Sequence, residues 1–183
     1  MYFNCGHQGH FCGPATEAGN EKIITNNSKS LKVDIHCHRQ CYTAGEMMQS
    51  EAEKAGFAAL SFGSELTKEV NQKQLEFIKP KMQSIDVRLK DMDNMGVDIQ
   101  AVSVSPYQYY YWADPEVGRD VSRLINDDMA QDISKHPDRF VGLGTIPLQN
   151  TEMAIAELER CVNELGFRGI EINTQVAGEE LSA

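Results

Sequence analysis

The sequence predicts an α/β fold in which parallel strands alternate with helices. Short apolar stretches recur along residues 31–173 with helix-period patterns between them, in the order strand, helix, strand, helix, strand, helix, strand. Strands that are joined through helices require right-handed crossovers and therefore form a parallel sheet. No glycine-rich phosphate loop follows any predicted strand, which excludes the usual nucleotide-binding folds of this class. A doubly wound sheet and part of a β/α barrel both fit this pattern.

Charge and composition disfavour several classes of partner. The 183-residue chain carries 17 basic against 27 acidic side chains, a formal net charge of −10, whereas a nucleic-acid binder needs a basic face. No window approaches the roughly 20 apolar residues of a membrane span, and the N-terminus shows no secretory signal pattern. The five cysteines form no regular framework, which favours reduced thiols or metal ligands. We therefore expect a cytoplasmic protein with neither nucleic acid nor membrane as a partner.

Length and local composition define the domain organisation. At 183 residues the chain suits one domain, but it is shorter than the about 250 residues of a complete eight-stranded barrel. Residues 1–30 lack periodicity and are predicted to form a flexible N-terminal arm, followed by an ordered domain over 31–183. The arm contains four residues of metal-binding type, which are Cys5, His7, His10 and Cys12. Their spacing is tighter than in structural zinc sites, and we interpret them as a source of incidental metal affinity.

The first predicted strand, residues 31–36, leads into a helical segment. Alternation along the strand places Val33 and Ile35 on one face and Asp34, His36 and His38 on the other. Residues 44–80 are predicted to form a largely helical insertion with weak amphipathicity. The insertion divides near Gly56 and Gly63.

A better-defined helix is predicted over 85–95, followed by a strand over 97–104 that ends at Pro106. The apolar stripe of this helix consists of Ile85, Leu89 and Met92. Gly96 is predicted to stop the helix because glycine readily adopts the left-handed conformation at that position.

The second half of the chain repeats the alternation. Asp114 is predicted to cap a helix that has Pro115 at its first position and that cannot continue past Pro137. Apolar side chains recur every four residues along it, at Val117, Val121, Ile125, Met129 and Ile133. The remaining predicted elements are a strand over 140–146, a helix over 151–165 and a strand over 169–173.

The main candidate for chemistry is the pair His36 and His38 at the end of the first strand. Because side chains alternate along a strand, both imidazoles point to one face, about 7 Å apart along the strand. One divalent metal can bind both, whereas a catalytic zinc site usually takes three protein ligands and keeps one position open. The alternative is a solvated pair that binds nothing. An inward-facing Asp34 and the position at the carboxyl end of a parallel strand favour the metal interpretation.

Four motifs occur in order after the predicted arm. The first is Asp34-x-His36-x-His38, and the others are the stretches 88–103, 136–148 and 157–170. Together they resemble the amidohydrolase superfamily, in the amidohydrolase-related branch of aminocarboxymuconate-semialdehyde decarboxylase and related metal-dependent decarboxylases. The resemblance covers roughly residues 31–181.

The resemblance implies a fold and a metal. The fold is a (β/α)₈ TIM-type barrel, of which this chain supplies the N-terminal half, four βα units with the helical insertion after the first strand. The cofactor is one divalent metal, commonly zinc, with His36 and His38 as ligands. The remaining ligands and the catalytic histidine belong to later strands, beyond Ala183, so no catalytic residue is assigned here. We therefore expect the metal affinity of this chain to be weak.

The resemblance also implies a reaction and a substrate. The favoured function is a carbon–carbon lyase reaction, the decarboxylation of a small unsaturated or aromatic carboxylic acid. Tyr109 and Trp112, in the aromatic run 107–112, are candidates for stacking on that acid, although a loop packed against the insertion helices is the preferred interpretation. Glu171 and Asn173, on the polar side of the fourth strand, are further pocket candidates.

Two alternatives remain open at this point. A metal-dependent hydrolase of an amide or lactone would use the same histidine pair. A truncated, catalytically inactive fragment would act at most as an interaction or metal-binding module. Unpaired edges on the first and fourth strands of a half barrel also predict a homodimer formed through those edges.

Overall fold

The computed structural model describes residues 30–54, 64–176 and 178–181. The predicted arm up to residue 29 lies outside the described residues, and so do Cys5, His7, His10, Cys12, Gly56 and Gly63. Within the described ranges, no helix has both the length and the apolar character required to cross a bilayer.

Four parallel strands form the main sheet, in the order β1-β2-β3-β4. They are β1 (Val33–Arg39), β2 (Ile99–Val104), β3 (Phe140–Gly144) and β4 (Gly169–Ile170). Each strand pairs with the next one along the chain and the order never reverses, which is the winding of a barrel rather than of a doubly wound sheet. The predicted parallel α/β architecture is confirmed, and β1 and β4 are the edges of this sheet.

Five α-helices accompany the strands within the part of the chain that the structure describes. They are α1 (Tyr42–Lys54), α2 (Glu65–Gln83), α3 (Ile85–Met95), α4 (Pro115–Ile133) and α5 (Thr151–Asn163). Helices α1 and α2 occupy the predicted insertion, and a 3₁₀ turn over Pro106–Gln108 follows β2. A short antiparallel hairpin, β5 (Gln175–Val176) and β6 (Glu179–Glu180), was not predicted.

Helix α3 has the bounds that its sequence predicts. The Ser84 hydroxyl accepts a hydrogen bond from the backbone N–H of Val87 at 3.3 Å and so caps the first turn. The helix ends at Gly96, whose φ of 67° is left-handed. Met92 is fully buried in a small core cluster that also contains Cys37, Val102 and Phe140. Both ends of α3 are therefore set by local sequence signals.

Helix α4 is the longest element of the main core. Val121, Ile125 and Met129 from its predicted stripe are buried, together with residues of α1 and of the loop after β2. Asp114 occupies the N-cap position as predicted, but its side chain makes no capping hydrogen bond. Its backbone carbonyl accepts from Gly118 N–H at 2.8 Å instead.

Strand β3 has two glycines where α5 and the loop after α5 pack closely against it. A Cβ atom at Gly142 would come within 2.3 Å of the Phe167 ring, and one at Gly144 would come within 2.7 Å of the Cys161 sulfur. Both distances are shorter than real Cβ contacts. The glycines of β3 therefore allow Phe167 and Cys161 to enter the core.

A buried polar network joins α4, α5 and the end of β3. Asn126 donates to the Thr145 carbonyl at 2.8 Å and to Glu157 at 2.7 Å, and its own carbonyl accepts from Thr145 N–H at 2.9 Å. Arg160 pairs with Glu157 at 2.7 Å and with Asp127 at 2.6 Å. The buried Glu157 charge is thus compensated, which its desolvation requires.

Candidate metal centre

A β-bulge in β1 decides which of its side chains reach the inner face of the sheet. Asp34 pairs with Gln100 and Cys37 pairs with Val102, with a register shift between the two pairs. The step is three residues on β1 but only two on β2. The extra residue inverts the alternation, so Asp34 and Cys37 lie on the same side of the sheet.

Asp34 faces the helix layer, and the prediction that it points inward beside the histidines is wrong. Its Oδ2 accepts from Gln100 Nε2 at 2.9 Å, and Gln100 Oε1 accepts from Arg88 of α3 at 3.2 Å. The physical reason is the bulge, which a strict two-residue alternation does not anticipate. Val33 and Ile35, predicted on the opposite face, are 50% and 73% exposed.

His36 and His38 meet at their ring tips. Their Nε2 atoms lie 3.2 Å apart, with the ring planes at 79°. Two imidazole nitrogens bound to one zinc-sized cation lie about 2.9 to 3.4 Å apart for metal–nitrogen distances of about 2.0–2.1 Å. The observed separation therefore fits two ligands of a single cation.

The second ring nitrogen of His38 has its own partner. Nδ1 lies 2.9 Å from the Ser103 hydroxyl on β2, and the side chain is buried. Such a contact fixes the ring orientation, as outer-shell partners of metal-binding histidines do. With Nδ1 bonded to Ser103, Nε2 is the atom that faces His36.

Glu171, just after β4, is the third polar side chain of this cluster. Its backbone N–H donates to the Gly144 carbonyl at 3.0 Å, which continues the pairing of β4 with β3. Ligand atoms of Glu171, His36 and His38 all lie within 4.8 Å of one another. A flat sheet would separate β1 from β4 by about 14 Å. The sheet therefore curls around its inner face, as a barrel wall does.

Tyr109 connects the aromatic loop to this cluster. Its hydroxyl donates to Glu171 Oε1 at 3.1 Å. Burial, reinforced by the Glu171 charge, raises the pKa of Tyr109, so the phenol keeps the proton that it donates. The sequence indicates Glu171 and Asn173 only as pocket candidates. The hydrogen bond between Tyr109 and Glu171 joins residues that are 62 positions apart, and no local signal in the fourth strand predicts it.

Burial also controls the charge of His38. Desolvation lowers the pKa of His38, and the neighbouring His36 lowers it further, whereas Glu171 raises it. A neutral imidazole keeps the lone pair that a metal ligand needs. Two imidazoles beside one carboxylate are ligands that suit divalent cations such as zinc, so the residues present fit the metal that the resemblance implies.

Arg88 supports the histidine strand from the helix layer. Its guanidinium donates to the His38 carbonyl at 2.7 Å and to the Lys81 carbonyl at 3.0 Å, besides the bond to Gln100. In the sequence, the motif that begins at Arg88 contributes to the family resemblance but gives no structural role for Arg88. Its role here is to hold the end of β1 in place.

The other candidate residues are not members of the cluster. The Tyr109 ring is buried and stacks on Tyr111, with centroids 5.3 Å apart. Trp112 is half-buried and meets Tyr110 edge to face at 6.0 Å. Substrate contact by Tyr109 and Trp112 stays a prediction. His136 lies in the turn before β3 with its ring against Phe140, in keeping with a structural role.

A cleft opens between α1 and the loop after β2. Its volume is about 540 Å³, and its walls include Tyr42, Tyr107 and Tyr110. It begins at Gln40 and Cys41, directly after β1, so it lies at the end of the sheet where the histidines are.

Comparison with known proteins is consistent with this arrangement. The family model described as amidohydrolase matches residues 33–183 of the chain. The chain belongs to the amidohydrolase family. The match includes β1 with both histidines and extends past Glu171.

Curated relatives of this amidohydrolase are decarboxylases. The chain is 33% identical over 162 residues to 2-amino-3-carboxymuconate-6-semialdehyde decarboxylase of Dictyostelium discoideum, covering 84% of this chain and 43% of that protein. It is 40% identical over 88 residues to gamma-resorcylate decarboxylase of Rhodococcus jostii, covering 48% of this chain and 27% of that protein. The chain thus spans less than half the length of these relatives.

Solved structures give the same result. A dihydroxybenzoic acid decarboxylase from Polaromonas, with bound manganese and the inhibitor 2-nitroresorcinol, matches with a TM-score of 0.60 and 28% identity, over 78% of this chain and 38% of that one. The 5-carboxyvanillate decarboxylase of Sphingomonas paucimobilis shares the fold, with a TM-score of 0.64 at 24% identity, over 81% and 44%. The fold is therefore part of an amidohydrolase TIM-type barrel.

Proposed function

We propose that this chain acts as a metal-dependent decarboxylase, a carbon–carbon lyase acting on a small unsaturated or aromatic carboxylic acid. The observation that carries the proposal is the His36–His38 pair, with facing Nε2 atoms 3.2 Å apart at the end of the first strand. The similarity to decarboxylases along this part of the chain supports the reaction type.

His36 and His38 would hold the cation. Zinc is the metal that the sequence resemblance implies, and the Polaromonas relative binds manganese. When bound, a divalent cation supplies Lewis-acid polarisation of a substrate oxygen. Ser103 and Arg88 orient His38 through its ring and its carbonyl, so the chain prepares the position of the ligand before any cation binds.

The substrate site is proposed to lie at the same end of the sheet. The aromatic loop carrying Tyr109 and Trp112 follows β2 at this end, and the cleft lined by Tyr42 and Tyr107 opens beside it. Aromatic side chains suit a flat, unsaturated acid because stacked rings gain contact area. The cytoplasmic location stays a prediction from the sequence.

Turnover of candidate acids tests the proposal. The purified chain, loaded with Mn²⁺ or with Zn²⁺, is incubated with 2,6-dihydroxybenzoate and, separately, with 2-amino-3-carboxymuconate-6-semialdehyde. We expect cation-dependent loss of the carboxylate. Absorbance and chromatography of the product measure this loss. The double variant H36A/H38A is the control and should show none.

Other results would favour the alternatives. Cleavage of an amide or lactone probe without release of CO₂ would indicate a hydrolase. Stoichiometric cation binding without turnover of any of these compounds would contradict the proposal and indicate an inactive metal-binding module.

A further inference from the structure

We propose that Glu171 is a third protein ligand of the cation held by His36 and His38. The inference rests on the proposed metal site and deepens it. It also changes an expectation from the sequence, which assigned only two ligands to this chain and therefore weak affinity. Three ligands from β1 and from the end of β4 would let residues 33–171 bind a cation by themselves.

The position of the Glu171 carboxylate carries the inference. Its ligand atom lies within 4.8 Å of those of both histidines, although β1 and β4 are opposite edges of the described sheet. Ligand atoms around one tetrahedral cation lie about 3 to 3.5 Å apart, so a side-chain movement of at most about 2 Å would complete the set. Glu171 is only partly exposed, so it can make this movement without leaving the cluster.

Glu171 is held beside the histidines without a hydrogen bond between its carboxylate and His38 Nδ1. Oε1 lies 4.0 Å from His38 Nδ1, beyond hydrogen-bond length, and that nitrogen is 2.9 Å from Ser103. The short contact of Oε1 is with the Tyr109 hydroxyl at 3.1 Å. An ionised carboxylate offers about four acceptor positions, so the Tyr109 bond leaves capacity for a cation.

Charge gives a second reason for this assignment. Two neutral imidazoles provide no negative charge to offset a divalent cation, whereas Glu171 provides one. A set of two histidines and one carboxylate also leaves coordination positions open, as catalytic sites do. Tyr109 then acts as a positioning residue, because it orients the carboxylate through Oε1.

Cation affinity of the full chain tests the inference. Titration calorimetry with Mn²⁺ and with Zn²⁺ compares the wild type with Glu171→Gln, in a C5S/C12S background that removes the thiols of the N-terminal residues. We expect one cation per chain, and a loss of affinity in Glu171→Gln of at least about 100-fold, the upper end of the effect of outer-shell partners. Glu180→Gln, at an exposed position of β6, is the matched control and should bind like the wild type.

Two further measurements separate a lost ligand from a misfolded protein. The visible spectrum of the Co²⁺-loaded chain should change in Glu171→Gln, since it reports the ligand set. Tyr109→Phe should weaken binding by about 10-fold and leave the Co²⁺ spectrum close to that of the wild type. Circular dichroism checks that each variant keeps the helical content of the wild type.

Each outcome decides a different claim. Unchanged affinity and spectrum in Glu171→Gln, with binding lost in His36→Ala, would overturn the role of Glu171 and leave the histidine site intact. Unchanged affinity in the histidine variants would overturn the proposed metal site itself. A 100-fold loss in Glu171→Gln with an altered Co²⁺ spectrum would support the three-ligand site.

Discussion

His38 has different partners on its two ring nitrogens, and this division determines how it can act. Ser103 lies at Nδ1 and His36 lies at Nε2, while burial lowers the pKa of the ring and keeps it neutral. The backbone of His38 is also held in place, because the Arg88 guanidinium donates a hydrogen bond to its carbonyl at 2.7 Å. The ring is therefore fixed from both its side chain and its backbone.

Removing the Ser103 hydroxyl should weaken cation binding without unfolding the protein. Ser103→Ala deletes the partner of His38 Nδ1 and frees the ring orientation, so we expect roughly 10-fold lower affinity for Zn²⁺ by titration calorimetry. Ser122→Ala is the control, because Ser122 is equally buried but its hydroxyl has no hydrogen-bond partner among the residues that the structure describes. Equal affinity in the two variants would show that Ser103 does not orient the ring.

At the scale of elements, the close contact between β3 and α5 depends on glycine. Gly142 lies under the Phe167 ring, and Gly144 lies under Cys161 and beside the Asn126 amide. These contacts join β3 to α5 through Cys161 and to the loop between α5 and β4 through Phe167. Since the backbone N–H of Glu171, just after β4, donates to the Gly144 carbonyl, the packing of β3 also positions the third side chain of the candidate metal centre.

Gly142→Ala should destabilise the fold by about 1–3 kcal/mol because the new methyl group overpacks the core against Phe167. The free energy of unfolding in urea measures the effect. Gly45→Ala in α1 is the matched control, since the nearest atom to its Cβ would be 3.9 Å away. That variant should be neutral or gain up to about 1 kcal/mol from helix propensity. Equal stability of the two variants would contradict the packing role of Gly142.

At the scale of the whole molecule, buried acids make the fold sensitive to alkaline pH. Burial, with a smaller contribution from Glu171, raises the pKa of Tyr111 to about 12, above the ordinary value of 10.0. The protonated phenol is favoured in the folded state, so its contribution is complete below pH 10 and is lost as the pH rises through 12. The expected loss from Tyr111 is about 2 to 3 kcal/mol.

Denaturant unfolding at pH 8, 10 and 11.5 measures this loss. Tyr111→Phe should show a smaller decrease of the unfolding free energy between pH 10 and 11.5 than the wild type does. Tyr107→Phe, at a side chain that is 71% exposed, should decrease as the wild type does. A wild-type decrease that persists in Tyr111→Phe would assign the alkaline instability to other groups, such as Cys161, whose pKa burial raises to about 12.

The barrel-type winding could be predicted only in part. The alternation of strands and helices predicts a parallel α/β sheet, but periodicity alone leaves a doubly wound sheet possible. The barrel was predicted only through the family resemblance of the ordered motifs. Strands β3 and β4 are also shorter than predicted. The predictions ran too long because apolar residues continue past the last paired position of each strand. Association through the edges of β1 and β4 remains a prediction.

The sequence by itself determined the elements whose signals are local. Helix α3 spans Ile85–Met95 and ends at Gly96 as predicted, and the two histidines of β1, which alternation places on one face, meet at their ring tips. Only the tertiary structure decided that Asp34 turns to the helix layer and that Glu171 joins the histidines. The reason is physical: capping and alternation act over a few residues, whereas a bulge and the curl of a sheet depend on how distant strands pair.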